Sequence, residues 1–534
     1  MLGRFKERQE TVKLDVLDCL TCLFHSTHSF ISGNRGAATS SIRAVLNSRV
    51  PALMKDACKN LDAPSVNVRV KTAVLSLLRA FIPFSLLIAD GSQEGEITVH
   101  LQTLLNRCER CLSDGASNSK STASHSAGGN HALQLSALEF IHENLNLIKP
   151  LIPSSSLCHA ILRVVQDEHS SKATAEGLRV LTLLVGRDKS TDLQAVHDLI
   201  IIKLEGGDAS MGVDQEASEA AITTAAALLS APSFTPSSGK LMQRLLAKIS
   251  HESTVLPTVR AFQSLPRTLN LAPISEPLFS KLSSLLQTGI HNRTLRENVL
   301  TCLASLLANE SFSSSSLQEV FRDTGPLLAE GDSLTVVATV RVILACFRRL
   351  PLSTASSLAR GSLYAPSLKL LVSPQLQDLA RDALLDLFHA FVEALVVSFE
   401  EVIRDLEALL PTSTASSVAR QSQGNVTKAI AASCVTPEQR KTVAIKCIQN
   451  MNARDRRQSA LITLGELGPF VDLSVEASAL KENLLACFEL ANEDDWATAS
   501  FALVRTILYN FERIQNAVST CRVASLLEIL FFFQ

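Results

Sequence analysis

Two Cys-x-x-Cys pairs, Cys19/Cys22 and Cys108/Cys111, come nearest to chemistry in this chain. Two thiolates three residues apart make half of a tetrahedral zinc site. A zinc knuckle presents such a pair on a tight turn. Here CLTC and CERC lie within apolar periodic stretches, where residues i and i+3 share a helix face, so ordinary helical cysteine is expected. GRDKST at Gly186 faintly echoes a phosphate loop, but the motif needs Gly directly before Lys and Asp188 stands there. HESTV at His251 and HENLN at His142 begin like a zinc-protease helix and lack its second histidine. The pairs Glu400/Glu401 and Asp494/Asp495 read as solvated faces or helix starts. Arg348-Arg349 and Arg456-Arg457 are too isolated for a nucleic-acid stripe. No catalytic, cofactor-binding or metal residue is assigned, and no enzyme is expected.

The elements that would carry a function are helices. At 534 residues the chain is too long for one core, and 46% hydrophobic with 19% charged residues is folded-protein composition. One Trp, two Tyr and 21 Gly leave the apolar mass to Leu, Ala, Val and Phe, which suits helix packed on helix. A net charge of −2 gives no reason to expect nucleic acid or an anionic membrane surface. MLGRFKERQE carries no apolar signal core, and the longest apolar runs, 80–89 and 524–533, are about half of a membrane span. Twelve scattered cysteines point to a reducing compartment, cytosol or nucleus, where the sequons at Asn292, Asn309 and Asn425 mean nothing.

An internal repeat organises the rest. A small residue, an apolar one, then Leu or Phe three to four residues on recur in VRVKTAVLSLL from Val68, ALQLSALEFI from Ala132, TAEGLRVLTLL from Thr174 and EASEAAITTAAALL from Glu216. They return in LPTVRAFQSL from Leu256, LRENVLTCLASLL from Leu295, VATVRVILACF from Val337, LARDALLDLF from Leu379, RRQSALITLGELG from Arg456 and WATASFALVRTIL from Trp496. The anchors Ala73, Ala137, Gly177, Ala221, Ala261, Asn298, Ala383, Ala460 and Ser500 are mostly about 40 residues apart, the HEAT and armadillo range. One long interval holds the Ser/Gly-rich stretch from Ser113, expected to be mobile and cut first by protease. Another, from Ala383 to Ala460, would hold a poorly patterned repeat running from KAIAASC to TVAIKCI. A first helix, often opened by Pro as at Pro51, Pro153 and Pro366, would precede each of these segments. Gly465 would let two helices approach closely. The expected fold is all-α, a HEAT/armadillo-type α-solenoid curved as a superhelix of antiparallel helix pairs. Its divisions are 1–112 N-terminal repeats, 113–131 flexible insert, 132–410 central repeats, 411–424 loop, 425–513 C-terminal repeats and 514–534 atypical tail.

RFKERQETVKLDVLDCL, Arg4 to Leu20, and ALITLGELGPFVDLS, Ala460 to Ser474, are more specific than generic HEAT helices, and WATASFAL follows about 40 residues after the second. These stretches resemble the cullin-associated and neddylation-dissociated (CAND) family, in the same order, over roughly 1–510. In that family the RFKER stretch lies well inside a longer chain. The chain therefore reads as a central portion, with an uncapped start expected to expose apolar surface and a tail after Arg513 that departs from the pattern.

The resemblance implies a non-enzymatic scaffold that binds un-neddylated cullin–RING ubiquitin ligase and regulates exchange of substrate-receptor adaptors, in cytoplasm or nucleus. It implies no cofactor, nucleic acid, membrane or small-molecule substrate. The alternative is another HEAT scaffold, a nuclear transport receptor or phosphatase scaffold subunit; a transport receptor would be expected to carry acidic runs on its inner helices, and none stands out. No partner-contact residue is assigned. The charges of Arg4, Lys6, Glu7 and Arg8 would either meet a partner or form a solvated helix start.

Overall fold

A computed structural model describes residues 9–33, 50–88, 94–117, 127–147, 155–167, 170–186, 192–205, 215–232, 234, 238–288, 292–309, 312–330, 332–376, 378–411 and 416–473. It also describes 475–476, 479–480, 482–484, 486, 498–502 and 504–505. Among them there is no strand. The chain forms two units, 1–269 and 270–534.

In the first unit the helices are α1 (Glu10–Gly33), α2 (Val50–Asp62), α3 (Val68–Ile88), α4 (Glu94–Ser117), α5 (Ala127–Leu147) and α6 (Ser155–Gln166). They continue as α7 (Ser171–Val185), α8 (Leu193–Glu205), α9 (Gln215–Ser230), α10 (Ser238–Lys248) and α11 (Val255–Gln263). Odd helices pack on the next odd helix, α1 through α11, and even helices on the next even one, α2 through α10. Each even helix also packs on the odd helix after it. The result is two rows sharing one core. An odd helix is covered on three sides, which explains its all-round apolar character: Ala173 through Leu178 in α7 are buried without a break. Phe24 of α1 seats this row by stacking on Phe81 and Phe84 of α3, ring centroids 4.9 and 5.4 Å apart.

The second unit has α12 (Ser275–Thr288), α13 (Arg293–Leu306), α14 (Ser314–Thr324), a 3-10 turn Gly325–Glu330, α15 (Ser333–Phe347), α16 (Leu352–Ser362) and α17 (Tyr364–Leu371). It continues with α18 (Asp378–Glu393), α19 (Phe399–Ala408), α20 (Ser417–Ser433), α21 (Pro437–Asn450) and α22 (Arg457–Leu467). The buried row is α13, α15, α18, α20, α22. Starts are fixed by side-chain caps: Asn292, Ser313, Asp332, Ser398 and Ser416 each accept a backbone N–H in the first turn, and Thr436 with Gln439 forms a capping box. Phe347 and Tyr364 pack against Phe391, with Phe388 beside it, ring centroids 5.6 to 5.9 Å apart.

Every recurring segment read from the sequence up to Arg456 falls in the buried row. Segments of the other row face water on one side and repeat less plainly. KAIAASC closes α20 of one pair and TVAIKCI belongs to α21 of the next, so they are not one repeat; the helix missing from the interval between Ala383 and Ala460 is α20. Of the anchors, Ala137, Gly177, Ala221, Ala261 and Ala460 are buried, while Ala73, Asn298, Ala383 and Ser500 are half-buried. Asn298 donates to the Thr294 carbonyl of its own helix at 2.7 Å, and the fully buried positions of α13 are Val299, Leu300, Cys302 and Leu303. Pro51 opens α2 as expected, but Pro366 opens the short extra helix α17, and Pro153 lies outside the described residues. Residues 113–117 end α4 and 127–131 begin α5; 118–126 and 514–534 lie outside the described residues.

Polar bonds between successive pairs carry the repeat period. Thr182 and Thr224 share a hydrogen bond 42 residues apart, Ser356 donates to the Val396 carbonyl 40 apart, and Tyr364 donates to Asp405 41 apart. Arg505 donates to the Gly465 carbonyl, again 40 apart. Arg349 reaches three carbonyls past the end of α13: Leu307 at 3.1 Å, Asn309 at 2.6 Å and Phe312 at 3.0 Å. The C-terminal carbonyls of a helix have no partner within it, and an arginine one period on supplies one.

Candidate partner-binding surface

A ladder of fixed charges crosses the odd row of the first unit. Arg79 on α3 donates to Glu143 on α5 through Nε at 3.0 Å and Nη2 at 2.5 Å, and also pairs with Glu139. His142 of α5 lies with Nδ1 2.5 Å from Glu176 Oε1 on α7. Arg179 donates to Glu176 at 2.9 Å and lies 3.7 Å from Glu216 of α9. Burial raises the Glu176 carboxyl, but the bonds from His142 and Arg179 outweigh it and hold the group below its ordinary value. Four successive helices of the odd row, α3, α5, α7 and α9, are thus linked by ion pairs between residues scattered over 79–216, so no acidic run marks them in the sequence. The helix pitch aligns Glu139 with Glu143, one turn apart on α5.

The residues weighed for chemistry are dispersed. Cys19 and Cys22 are exposed on α1; Cys108 and Cys111 are buried in α4. Burial pushes the Cys108 thiol well up, helped by neighbouring Cys111 and Cys58, so it is held as thiol rather than metal-binding thiolate. Among the described residues no three of His, Cys, Asp and Glu are grouped as a metal site requires. His142 serves the ladder, and His251 lies exposed in the turn between α10 and α11. Gly186 ends α7, and 187–191 lie outside the described residues, as do 1–8 with Arg4, Lys6, Glu7 and Arg8, and 494–495. Glu401 sits in the first turn of α19 and takes a two-pronged bond from Arg360, at 3.0 and 2.8 Å. Arg349 is spent on carbonyls. Asn309 and Asn425 are buried, so neither sequon presents its amide to a glycan-transferring enzyme in the folded chain. Among the described residues α1 exposes Leu23 with Cys19 and Cys22 amid Glu10, Asp15, Asp18, His25 and Ser26, and the start of the chain before Gln9, where apolar surface is expected, lies outside the described residues. No described helix is long and apolar enough to cross a membrane.

Paired helices stacked in two rows, linked at a steady period, define the class: an all-α HEAT/armadillo-type solenoid. Two solved karyopherin structures are similar in fold. Kap95p bound to RanGDP gives a TM-score of 0.53 at 10% identity over 96% of this chain and 69% of that one. Kap121p bound to the SUMO protease Ulp1p gives 0.51 at 13% identity over 93% and 50%. No family model matches the chain. In sequence it is similar to CAND proteins: it is 25% identical over 538 residues to cullin-associated NEDD8-dissociated protein 1 of Arabidopsis thaliana, covering 94% of this chain and 41% of that protein. The protein of the same name from Dictyostelium discoideum is 26% identical over 529 residues, covering 94% and 40%. The chain therefore spans about two fifths of the length of the curated relatives it matches.

Proposed function

We propose that the chain is a non-enzymatic scaffold that binds a cullin–RING complex lacking NEDD8, in cytoplasm or nucleus, and takes part in exchanging substrate-receptor adaptors. The observation that carries this reading is similarity to cullin-associated proteins along 94% of the chain. Karyopherin likeness at 10 to 13% identity speaks for the fold alone and leaves a transport receptor as the second choice. The physical logic is negative coupling: two ligands that clash on one scaffold each speed the other's release, and the effect is reciprocal. A row of helices suits it because affinity is spread over a large surface and can be given up in parts.

The test is a pull-down of purified cullin–RING complexes, with and without NEDD8, beside a full-length relative. Capture of the unmodified complex with little of the modified one supports the proposal. Equal capture of both, or of neither while the relative captures its own, removes it.

A further inference from the structure

Between α19 and α21 of the second unit lies a groove of about 450 Å³, within the volume range of ligand sites. Small side chains make the room. Its floor is Ile430, Val443, Cys447 and Ala460, all buried. Thr463 also lines it, is 3% exposed, and has no hydrogen bond with a described residue.

The mouth is polar. Lys446 and Glu407 bridge it at 2.6 and 2.7 Å and neutralise each other. Arg404, Arg456 and Asp455 remain, one positive charge in excess. Arg404 uses only Nε, on Asp405, which stands outside the groove. Arg456 lies 3.9 Å from Asp455, beyond hydrogen-bond length, and its guanidinium bonds no described residue. Above the apolar floor the terminal nitrogens of Arg404 thus meet no described residue and Arg456 is held only by a long ion pair to Asp455, and a carboxylate is the group that fills such a fork.

We propose that this groove docks a segment of a partner protein that carries an apolar side chain beside a carboxylate. The apolar group fills the floor and the carboxylate meets Arg404 or Arg456. The proposal is independent of the cullin reading, and its probe is a peptide, so either can fail without the other.

The experiment is fluorescence polarisation of the full chain with a labelled Gly-Ser-Glu-Leu-Phe-Glu-Ser-Gly peptide, and with its counterpart carrying Gln for both Glu, at about 0.15 M salt. The acidic peptide should bind at least about tenfold tighter than its counterpart. The double variant Arg404→Ala/Arg456→Ala should remove that difference. Ala408→Trp, at an exposed lining position, should abolish binding of both while circular dichroism and Tm stay unchanged. Arg360→Ala, one pair away, should change nothing. No binding of the acidic peptide up to about 1 mM, equal binding of the two peptides, or indifference to the double variant overturns the proposal. Competition by hexanoate as effective, mole for mole, as the unlabelled peptide would show that the groove takes a small acid, and overturns it as well.

Discussion

Gly177 of α7 stands against Val165 of α6 so closely that a methyl group on it would lie 2.6 Å from Val165 Cγ2, with Ile161 and Leu138 at 3.7 and 3.8 Å. Helix propensity alone would favour Ala there by about 1 kcal/mol. Overpacking against a stiff, buried β-branched side chain costs about 1–3 kcal/mol. Gly177→Ala should therefore lower stability by about 1 kcal/mol, read as an earlier urea midpoint. In a double-mutant cycle Val165→Ala should make Gly177→Ala neutral or favourable. A stabilising single Gly177→Ala would show that the two helices can separate at no cost.

Arg349 is the polar link whose loss should cost most. Its guanidinium satisfies three carbonyls past the end of α13. Arg349→Ala should cost about 2–3 kcal/mol in urea unfolding, since hydrogen bonds from a charged donor are worth about 1.5–3 kcal/mol and the carbonyls are left unpaired. Lysine, with a compact ammonium and no fork, should restore less than half.

Acid should weaken the first unit through Glu176. Its folded carboxyl is held below the ordinary value of 4.5, so its contribution is present above that pH and is lost as pH falls through the lower folded value. In Glu176→Gln the part of the acid-induced loss below about pH 4.5 that belongs to this site should vanish. The two proteins should converge in Tm as the pH falls; parallel Tm curves from pH 7 to 3 would contradict the ladder.

Thiol chemistry should divide the cysteines in two. Cys346, Cys434 and Cys447 are buried, and burial pushes each thiol up to about 12. At neutral pH such a group holds over a thousandfold less thiolate than an ordinary cysteine near about 8.5. Iodoacetamide followed by mass spectrometry should label exposed Cys19 and Cys22 in native protein and reach the other three only in denaturant. Native labelling of Cys346, fully buried in α15, would mean that α15 opens locally.

Leu395 offers a stabilising change. It closes α18 with φ 54° and is 72% exposed. Glycine is the usual residue in that left-handed position because a Cβ there costs about 1–2 kcal/mol. Leu395→Gly should raise Tm, with a net gain of about 0.5 kcal/mol after the entropy glycine adds to the unfolded chain. A lower Tm would show that the leucine packs despite its exposure.

The buried row was legible because its helices are apolar over most of their surface and repeat at a steady interval. Gly465 was read as a close approach, and a Cβ there would fall on the Phe501 ring, 3.3 Å from Ala502 Cα. The other row was harder to read: α16 buries only Ala355 and Ala359, too little to mark a face. Asn298 departs from the small-residue pattern that its neighbours follow, because its side chain turns to its own backbone. The ladder from Arg79 to Glu216 and the meeting of Arg404 and Arg456 at one groove could not be read, since each joins residues one or more repeats apart, and spacing along one helix says nothing of them.

Links such as Ser356 to Val396 and Arg505 to Gly465 tie a residue to one about a repeat away rather than to the far end of its unit. Under mechanical load such a chain gives way piecewise. Each pair that yields releases about 40 residues, roughly 130 Å of slack at about 3.3 Å per residue. Force would be shed in small instalments, with the pairs still folded ready to re-form their neighbours on relaxation.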